Sequence, residues 1–514
     1  MKCCPLARLW LPTLLFMGLL GAMALNKAPF WTTTHAAEAG PSDWPMLGGA
    51  IHRNMVNTAE KNMPITWSVK EGARNNIKWA ADLGMTSFGV PVIAGGKVYV
   101  GTNNDQPRNP KIKGDKGVLM CFRESDGQFL WQAVHDKLPT GQENDWPHQG
   151  IASSPAVDGN RLYYVSNRCE VICAGTEGKN GEADIIWRLD MIKDLEVNPR
   201  FLAICSPLII GDLLYVVTGN GVADQGGGKL VVPSAKAPSF LAINKNTGKI
   251  EWQSNLPGDK IIDGEWSNPV AAEVNGKMQV IFPGGDGWLY GLDAKTGSFI
   301  WKFDCNPKDI EPYKPGGKGQ ACFFLGNPVV YENKLYVGLG QEPENDGQGA
   351  GLFWCVDITK AGDVSPELVV NDKPLKTEPN KNSAKVWLVN GLKEKGGDRD
   401  YSFGRTISTP AVHDGLVYMT DMDGFLYCFD ANTGTKYWEE DLKTGIWSSP
   451  YCVDGKIYLG TDDSEVQIFA HGKEKKLLGK VEVGAQVKAP VVAANGVLYV
   501  MTGKQLFAIG QNQK

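Results

Sequence analysis

Metal and proton chemistry has few residues to work with in this chain. Only six histidines occur in 514 residues, and two of them, His135 and His148, bracket Asp145 and Trp146 with Glu143 close by. Imidazole and carboxylate donors gathered in one loop are the set that a divalent transition ion takes; the alternative is a solvated loop. The run Asp421-Met422-Asp423-Gly424 opens like a calcium loop, yet it falls between two strand patterns and lacks the distant glutamate, so it reads as a hairpin turn. Gly219-Asn220-Gly221 followed by Gly226-Gly227-Gly228 has the glycine density of a phosphate loop, but no helix pattern follows, which favours a plain loop. Cys169 and Cys173 have the wrong spacing for zinc or haem, and no C-x-x-C-H is present. Cys305 and Cys322 flank one loop, where they either pair or stay as thiols. No Ser-His-Asp set can be read from order alone, because such triads are defined by geometry.

The elements that must position these residues are repeats. DAKTG at 293–297 is followed by Trp301, and the pattern returns as NKNTG at 244–248 with Trp252, DANTG at 430–434 with Trp438, and Asp126-Gly127 with Trp131. In each, the Trp comes four residues after the Gly. A short strand, a turn whose Gly can take positive φ, and a second strand ending in Trp make a hairpin with an aromatic plug. Before each lies a second hairpin of the form P-x-V, polar turn, L/V-Y-V/L, with eight starts at Pro91, Pro155, Pro207, Pro269, Pro328, Pro410, Pro450 and Pro490. Four short antiparallel strands per unit, repeated eight times, predict an all-β, eight-bladed β-propeller of four-stranded antiparallel blades. The last unit ends near Ile509 with three strands, while residues 76–80 form an orphan outer strand, so the N- and C-terminal strands should pair and close the ring. The outer-strand plugs are then Trp79, Trp131, Trp187, Trp252, Trp301, Trp387 and Trp438, with Leu478 as the one substitute. Cys121, Cys173, Cys355 and Cys428 share a repeat position with Ala242 and Gly291, a tight slot that reads as buried thiols.

Strand order places the tight turns on one face and the long segments (103–116, 135–150, 190–203, 219–238, 257–266, 306–324 and 341–349) on the other. Long loops in a compact fold carry function, so a protein or small-molecule ligand is expected on that long-loop face. Residues 40–76 form an irregular N-terminal extension packed over the body, 77–514 the propeller, and 359–401 an irregular insertion around the strand ending in Trp387. Residues 1–39 read as a signal peptide, with Lys2 and Arg8, an apolar stretch at 9–25 and Ala37-Glu38-Ala39 as the cleavage step; uncut, the segment is an N-terminal anchor and membrane tether. Cys3 and Cys4 precede the apolar stretch and are badly placed for a lipoprotein signal. The expected location is periplasmic or secreted, with anchoring to the inner membrane as the alternative. A net charge of −5 and no basic run leave no nucleic-acid partner to expect.

The unit G-x-L-x-(C/A/G)-x-D-x-x-T-G-x-x-x-W resembles the repeat of pyrroloquinoline-quinone (PQQ) propellers over roughly residues 77–510. That family includes eight-bladed quinoprotein alcohol dehydrogenases and propellers without enzymatic activity, such as the outer-membrane assembly lipoprotein. DWPMLGG at 43–49, GVLMCFRESDGQFLW at 117–131 and FPGGDGWLYGLDAKTG at 282–297 look most like exported PQQ-repeat proteins of planctomycete-type bacteria. The dehydrogenases hold PQQ at the axis between a Trp face and a pair of adjacent cysteines, with calcium on carboxylate and amide oxygens and an Asp as base. Here the adjacent cysteines are missing from the body of the chain. The resemblance implies Asp263 as catalytic base within PGDKIIDGEW at 257–266, although Ile262 replaces the family's Trp and the spacing is off by one; the other reading is a polar loop between blades. By the same resemblance Glu265 and Asn327 would be the metal ligands. In any propeller the starts of the innermost strands line the axial funnel; these are Ser154, Ser206, Trp266, Asn268, Asn327, Arg405, Ser408, Trp447 and Ser448. Trp266, Trp447, Arg405 and Asn268 are the expected cofactor contacts, with loop packing as the alternative for the two Trp. The leading expectation is an exported binding or scaffold module of the cell envelope with no certain cofactor; the alternative is a divergent dehydrogenase that uses PQQ and calcium.

Overall fold

The computed structural model describes residues 42–314, 318–342 and 349–510; residues 1–39, read from the sequence as a signal peptide or anchor, lie outside the described residues with Cys3 and Cys4. One repeat shows how the sequence builds its sheet. Val270–Val274, Lys277–Pro283, Trp288–Asp293 and Phe299–Asp304 pair antiparallel in chain order. The last turn is set by Asp293, whose Oδ1 accepts from Lys295 N at 3.1 Å and Thr296 N at 2.9 Å, while Gly297 N donates to Asp293 O at 2.8 Å. Gly297 takes φ 69°. A Cβ there would also meet the ring of Trp252, in the preceding repeat, at 2.7 Å. The turn therefore needs glycine twice, for its left-handed backbone and for the plug next door.

The same contact joins Gly127 to Trp79, Gly248 to Trp187 and Gly434 to Trp387. We expect Gly127→Ala, at φ 72° and with Trp79 ring atoms 2.6 Å from the new methyl, to cost about 1–3 kcal/mol of stability, read from chemical denaturation. An unchanged midpoint would show that the plug moves aside freely.

Each plug stands opposite the small slot: Trp131 against Cys121, Trp187 against Cys173, Trp252 against Ala242, Trp301 against Gly291, Trp387 against Cys355 and Trp438 against Cys428. The last full repeat differs from the sequence expectation. A bulge there skips Leu478 and sets Gly479 opposite Ile468. Large and small have changed places across the strand pair, so Leu478 is not the substitute plug. All nine described cysteines are buried and none is in a disulfide. Cys305 and Cys322 are not bridged; the Asn306 side chain closes that loop instead, accepting from Cys322 N at 2.8 Å and donating to Cys322 O at 2.9 Å.

Among the described residues, hydrogen bonding joins the strands into four sheets of four strands, two of five and one of eight, besides two two-stranded ribbons. Ile77–Asp82 pairs antiparallel with Gln505–Ile509 and sets Trp79 opposite Ala508, so the two ends of the chain share one sheet as expected. The 359–401 segment is more ordered than its composition suggests. It carries a Glu367–Asn371/Lys376–Pro379 ribbon and a strand, Gly362–Asp363, laid parallel on Phe299–Asp304. Among the described residues, no helix is long and apolar enough to cross a membrane.

The N-terminal extension does more than cover the body. Its backbone bonds the inner edge strands in turn: Trp44 with Ile93, Pro45 O with Val157 N, Ile51 O with Ala271 N, His52 O with Val330 N and Met55 O with Cys452 N. The Asn54 side chain pairs with both backbone groups of Val412, at 2.8 and 2.9 Å, and Asn57 reaches Ala493 O at 3.0 Å. Arg53, fully buried, donates to Leu47 O, Ser206 O, Pro207 O and Pro269 O at 2.8–3.1 Å. One segment thus satisfies edge groups at all eight repeat starts, which would otherwise be buried without partners.

Candidate functional site

The residue immediately before each repeat Pro leads into an innermost strand, and seven of the eight, from Val90 round to Ser449, hand a hydrogen bond from one repeat to the next. Val90 N donates to Ser154 Oγ at 2.7 Å, Ser154 N to Ser206 Oγ at 2.9 Å, and Ser206 N to Asn268 Oδ1. Asn268 then gives both its backbone N, at 3.2 Å, and its Nδ2, at 2.6 Å, to Asn327 Oδ1. Asn327 Nδ2 donates to Thr409 Oγ1 at 2.8 Å, and Thr409 N to Ser449 Oγ at 2.9 Å. Short polar side chains suit this place because they reach one repeat spacing and no further. Ser154, Ser206, Asn268 and Asn327 were expected there from the sequence. Thr409 and Ser449 were missed in favour of their neighbours Ser408 and Ser448, although their position before Pro410 and Pro450 is the signal that identifies them.

These residues wall a cavity of about 480 Å³, and Leu47 of the extension also lines it. Long loops contribute Trp146, Phe201 and Glu342. The lining is strongly aromatic. Trp266 stacks on Phe201 with centroids 6.3 Å apart, and Trp146 meets Phe201 edge-on at 5.0 Å. Trp447 lies 6.0 Å from Phe88, with Lys488 Nζ 4.6 Å from the Trp447 centroid. Trp266 and Trp447 therefore do share the axial cavity.

Of the expected catalytic and metal residues, Asn327 lines the cavity, whereas Asp263 and Glu265 do not. Asp263 is buried behind the lining, with Oδ1 taking Arg200 Nε at 3.0 Å and Oδ2 taking Tyr313 Oη at 3.1 Å. Burial raises its carboxyl pKa above the usual range, with Arg200 opposing. Arg200 in turn lies over Phe201, 3.9 Å from the centroid, and its carbonyl accepts Trp266 Nε1 at 2.9 Å. Asp263 thus supports the aromatic wall through Arg200. Glu265 is also buried and away from the lining; neither oxygen has a well-formed hydrogen bond, and only the Ser239 hydroxyl and the Gly285 amide ease its charge. Burial pushes its pKa well above the ordinary value. Arg405, whose amide donates to Gly349 O at 2.7 Å, is not among the lining residues.

These donors do not fit a calcium–PQQ pair. A calcium ion takes six to eight oxygens. The Asn327 oxygen already accepts twice, and Glu265 is not beside it at the cavity. Among the described residues, a quinone tricarboxylate would meet one lining cation, Lys488, and one carboxylate, Glu342.

Three other candidates resolve differently. The Glu143, Asp145, His135 and His148 set is not brought together as one group. His135 is buried against Tyr164 Oη at 3.0 Å, Asp145 is tied to Lys137 and Asn167, and His148 Nδ1 sits 2.9 Å from Asp105. His148 instead joins Asp105 and Asp115, with ligand atoms within 4.8 Å of one another. Asp421 is a buried hub that accepts from Gly404 N, Phe425 N, Tyr427 Oη and Arg399 at 2.5–3.1 Å, as a turn residue and not as part of a calcium loop. The Gly226-Gly227-Gly228 run closes the short ribbon between Ala223–Asp224 and Leu230–Val231.

The plugs, the shared terminal sheet and the axial cavity define a β-propeller of PQQ-type repeats. The chain belongs to the PQQ-like repeat family whose model is described as "Outer membrane protein assembly factor BamB", which matches residues 51–225, 182–342 and 379–477, more than half of the sequence. Among characterised proteins it is 23% identical over 401 residues to a tetrathionate hydrolase of Acidithiobacillus ferrooxidans, covering 70% of this chain and 72% of that one. It is 22% identical over 474 residues to the dehydrogenase subunit of an alcohol dehydrogenase (quinone) of Gluconacetobacter polyoxogenes, covering 80% of this chain but only 57% of the relative's length. A europium-containing methanol dehydrogenase has the same fold at a TM-score of 0.56, with 14% identity and 90% of each chain covered.

Proposed function

We propose that this protein is an exported, eight-bladed binding module of the cell envelope that takes a flat, largely apolar small molecule carrying one negative charge into its axial cavity. The observation that carries this reading is the cavity itself: indole and phenyl faces with one cation, Lys488, held against Trp447. Aromatic walls bind planar ligands by stacking, and Lys488, the cation of a described lining that also carries the Glu342 carboxylate, would take an anionic edge. The location rests on the family's description and on the basic, then apolar, N-terminal sequence. Titration with a naphthoquinone sulfonate should give a saturable one-to-one quench of Trp fluorescence, weakened about tenfold by Trp447→Ala. No saturable quench would end this reading.

The second reading is the quinoprotein dehydrogenase, which Trp266 and Trp447 in the cavity and the quinone-type relatives support. With PQQ and Ca²⁺ added, the purified protein is expected to show no alcohol-dependent dye reduction. Stoichiometric PQQ uptake, with activity that disappears in Asp263→Asn, would reverse the order of the two.

A further inference from the structure

On the face opposite the cavity, adjacent repeats meet where the first tight turn of one faces the end of the third strand of the next. At one such seam stand His413, Asp414 and His471. His413 ends the strand Ala411–His413, Asp414 occupies the turn at φ 47°, and His471 follows the strand Glu465–Ala470. Two of the chain's six histidines therefore sit across one seam, although nothing in their sequence spacing connects them.

We propose that His413, Asp414 and His471 form a binding site for a divalent transition ion of the zinc class. Asp414 Oδ2 lies 3.3 Å from His413 Nε2 and 3.9 Å from His471 Nε2, and all three ligand atoms lie within 4.8 Å of one another. Ligand atoms sharing one tetrahedral zinc, each at 2.0–2.2 Å, stand about 3.4 Å apart, so the three need only small side-chain adjustments. The imidazole rings are 5.2 Å apart at 40°, close enough to converge without stacking flat.

The outer partners favour the same arrangement. His471 Nδ1 is 3.0 Å from Tyr418 Oη, and its backbone N donates to Gly455 O at 2.9 Å. Tyr418 Oη also accepts from Gly472 N at 2.8 Å, so a fixed hydroxyl holds the imidazole at Nδ1 and leaves Nε2 as the ring nitrogen on the Asp414 side. Asp414 is exposed, which leaves ion entry and a fourth, water-held position open. Two imidazoles and a carboxylate suit zinc, nickel or copper and discriminate against calcium and magnesium, which take oxygen.

The test is calorimetric titration of the full chain with Zn²⁺, with Co²⁺ absorption as a spectroscopic readout of nitrogen ligation. One ion per chain should bind with the intense visible band of tetrahedral cobalt. His413→Gln, at a surface turn, and His471→Gln should each abolish saturable binding while circular dichroism melts remain cooperative. Tyr418→Phe should weaken binding about tenfold. His148→Gln, in the cluster with Asp105 and Asp115 beside a long loop, should leave the affinity unchanged. Absence of saturable Zn²⁺ binding, unchanged affinity in both His413→Gln and His471→Gln, or loss in His148→Gln would overturn the proposal.

Discussion

Replacing Arg53 with methionine is expected to destabilise the protein by about 3–5 kcal/mol and to release the N-terminal segment to protease before the sheets unfold. The guanidinium is wholly buried and makes four hydrogen bonds, to the carbonyls of Leu47, Ser206, Pro207 and Pro269. Burial lowers its pKa to about 10, still far enough above neutrality to keep the charge. Methionine fills much of the volume but leaves those carbonyls without donors, and each buried unmet acceptor costs about 1–3 kcal/mol. The saving from no longer burying a cation offsets part of this, which is why the net figure stays well below the sum. Arg53→Lys keeps the charge but has three donors for four acceptors, so it should fall between the two. Denaturant midpoints and limited proteolysis within residues 44–57 would measure it. A methionine variant as stable as the wild type would mean that the extension merely rests on the ring.

Trp131→Ala is expected to cost a further class of stability, about 3–5 kcal/mol, through a cavity between repeats. The indole is fully buried, packs 6.0 Å from Tyr99 and opposite Cys121, and donates Nε1 to Thr176 O at 2.9 Å. It also lies against Gly178 of the next repeat, where a Cβ would be 2.4 Å from the ring. The loss therefore weakens two neighbouring units together. Trp131→Phe restores most of the volume without the Nε1 donor, so it should recover all but about 1–3 kcal/mol. Equal losses in both variants would assign the effect to the hydrogen bond; a negligible loss in the alanine variant would remove the plug as a stabilising element.

How far the site could be read in advance follows from what the repeats report. Position within a repeat found Ser154, Ser206, Asn268 and Asn327 in the ring and both axial tryptophans in the cavity. Sequence neighbourhood failed for Asp263 and Glu265, because Trp266 faces the cavity while the carboxylates beside it turn behind the wall. It failed again for His135 and His148, which are separated by a loop that carries them to different partners.

The sequence by itself determined the hairpins, the tryptophan plugs, the glycine turns and the pairing of the chain's two ends. Those features are local and recur, so each copy corroborates the others: an Asp–Gly turn and a Trp four residues later impose the same short-range geometry wherever they occur. Only the tertiary structure decided that residues 44–57 bind the inner edge of every repeat, that Asp263 serves Arg200, and that His413 meets His471. Such contacts occur once, and several are made through backbone carbonyls, which every residue carries. They leave no pattern of side-chain types to read until the repeats have closed and brought distant segments within hydrogen-bonding reach.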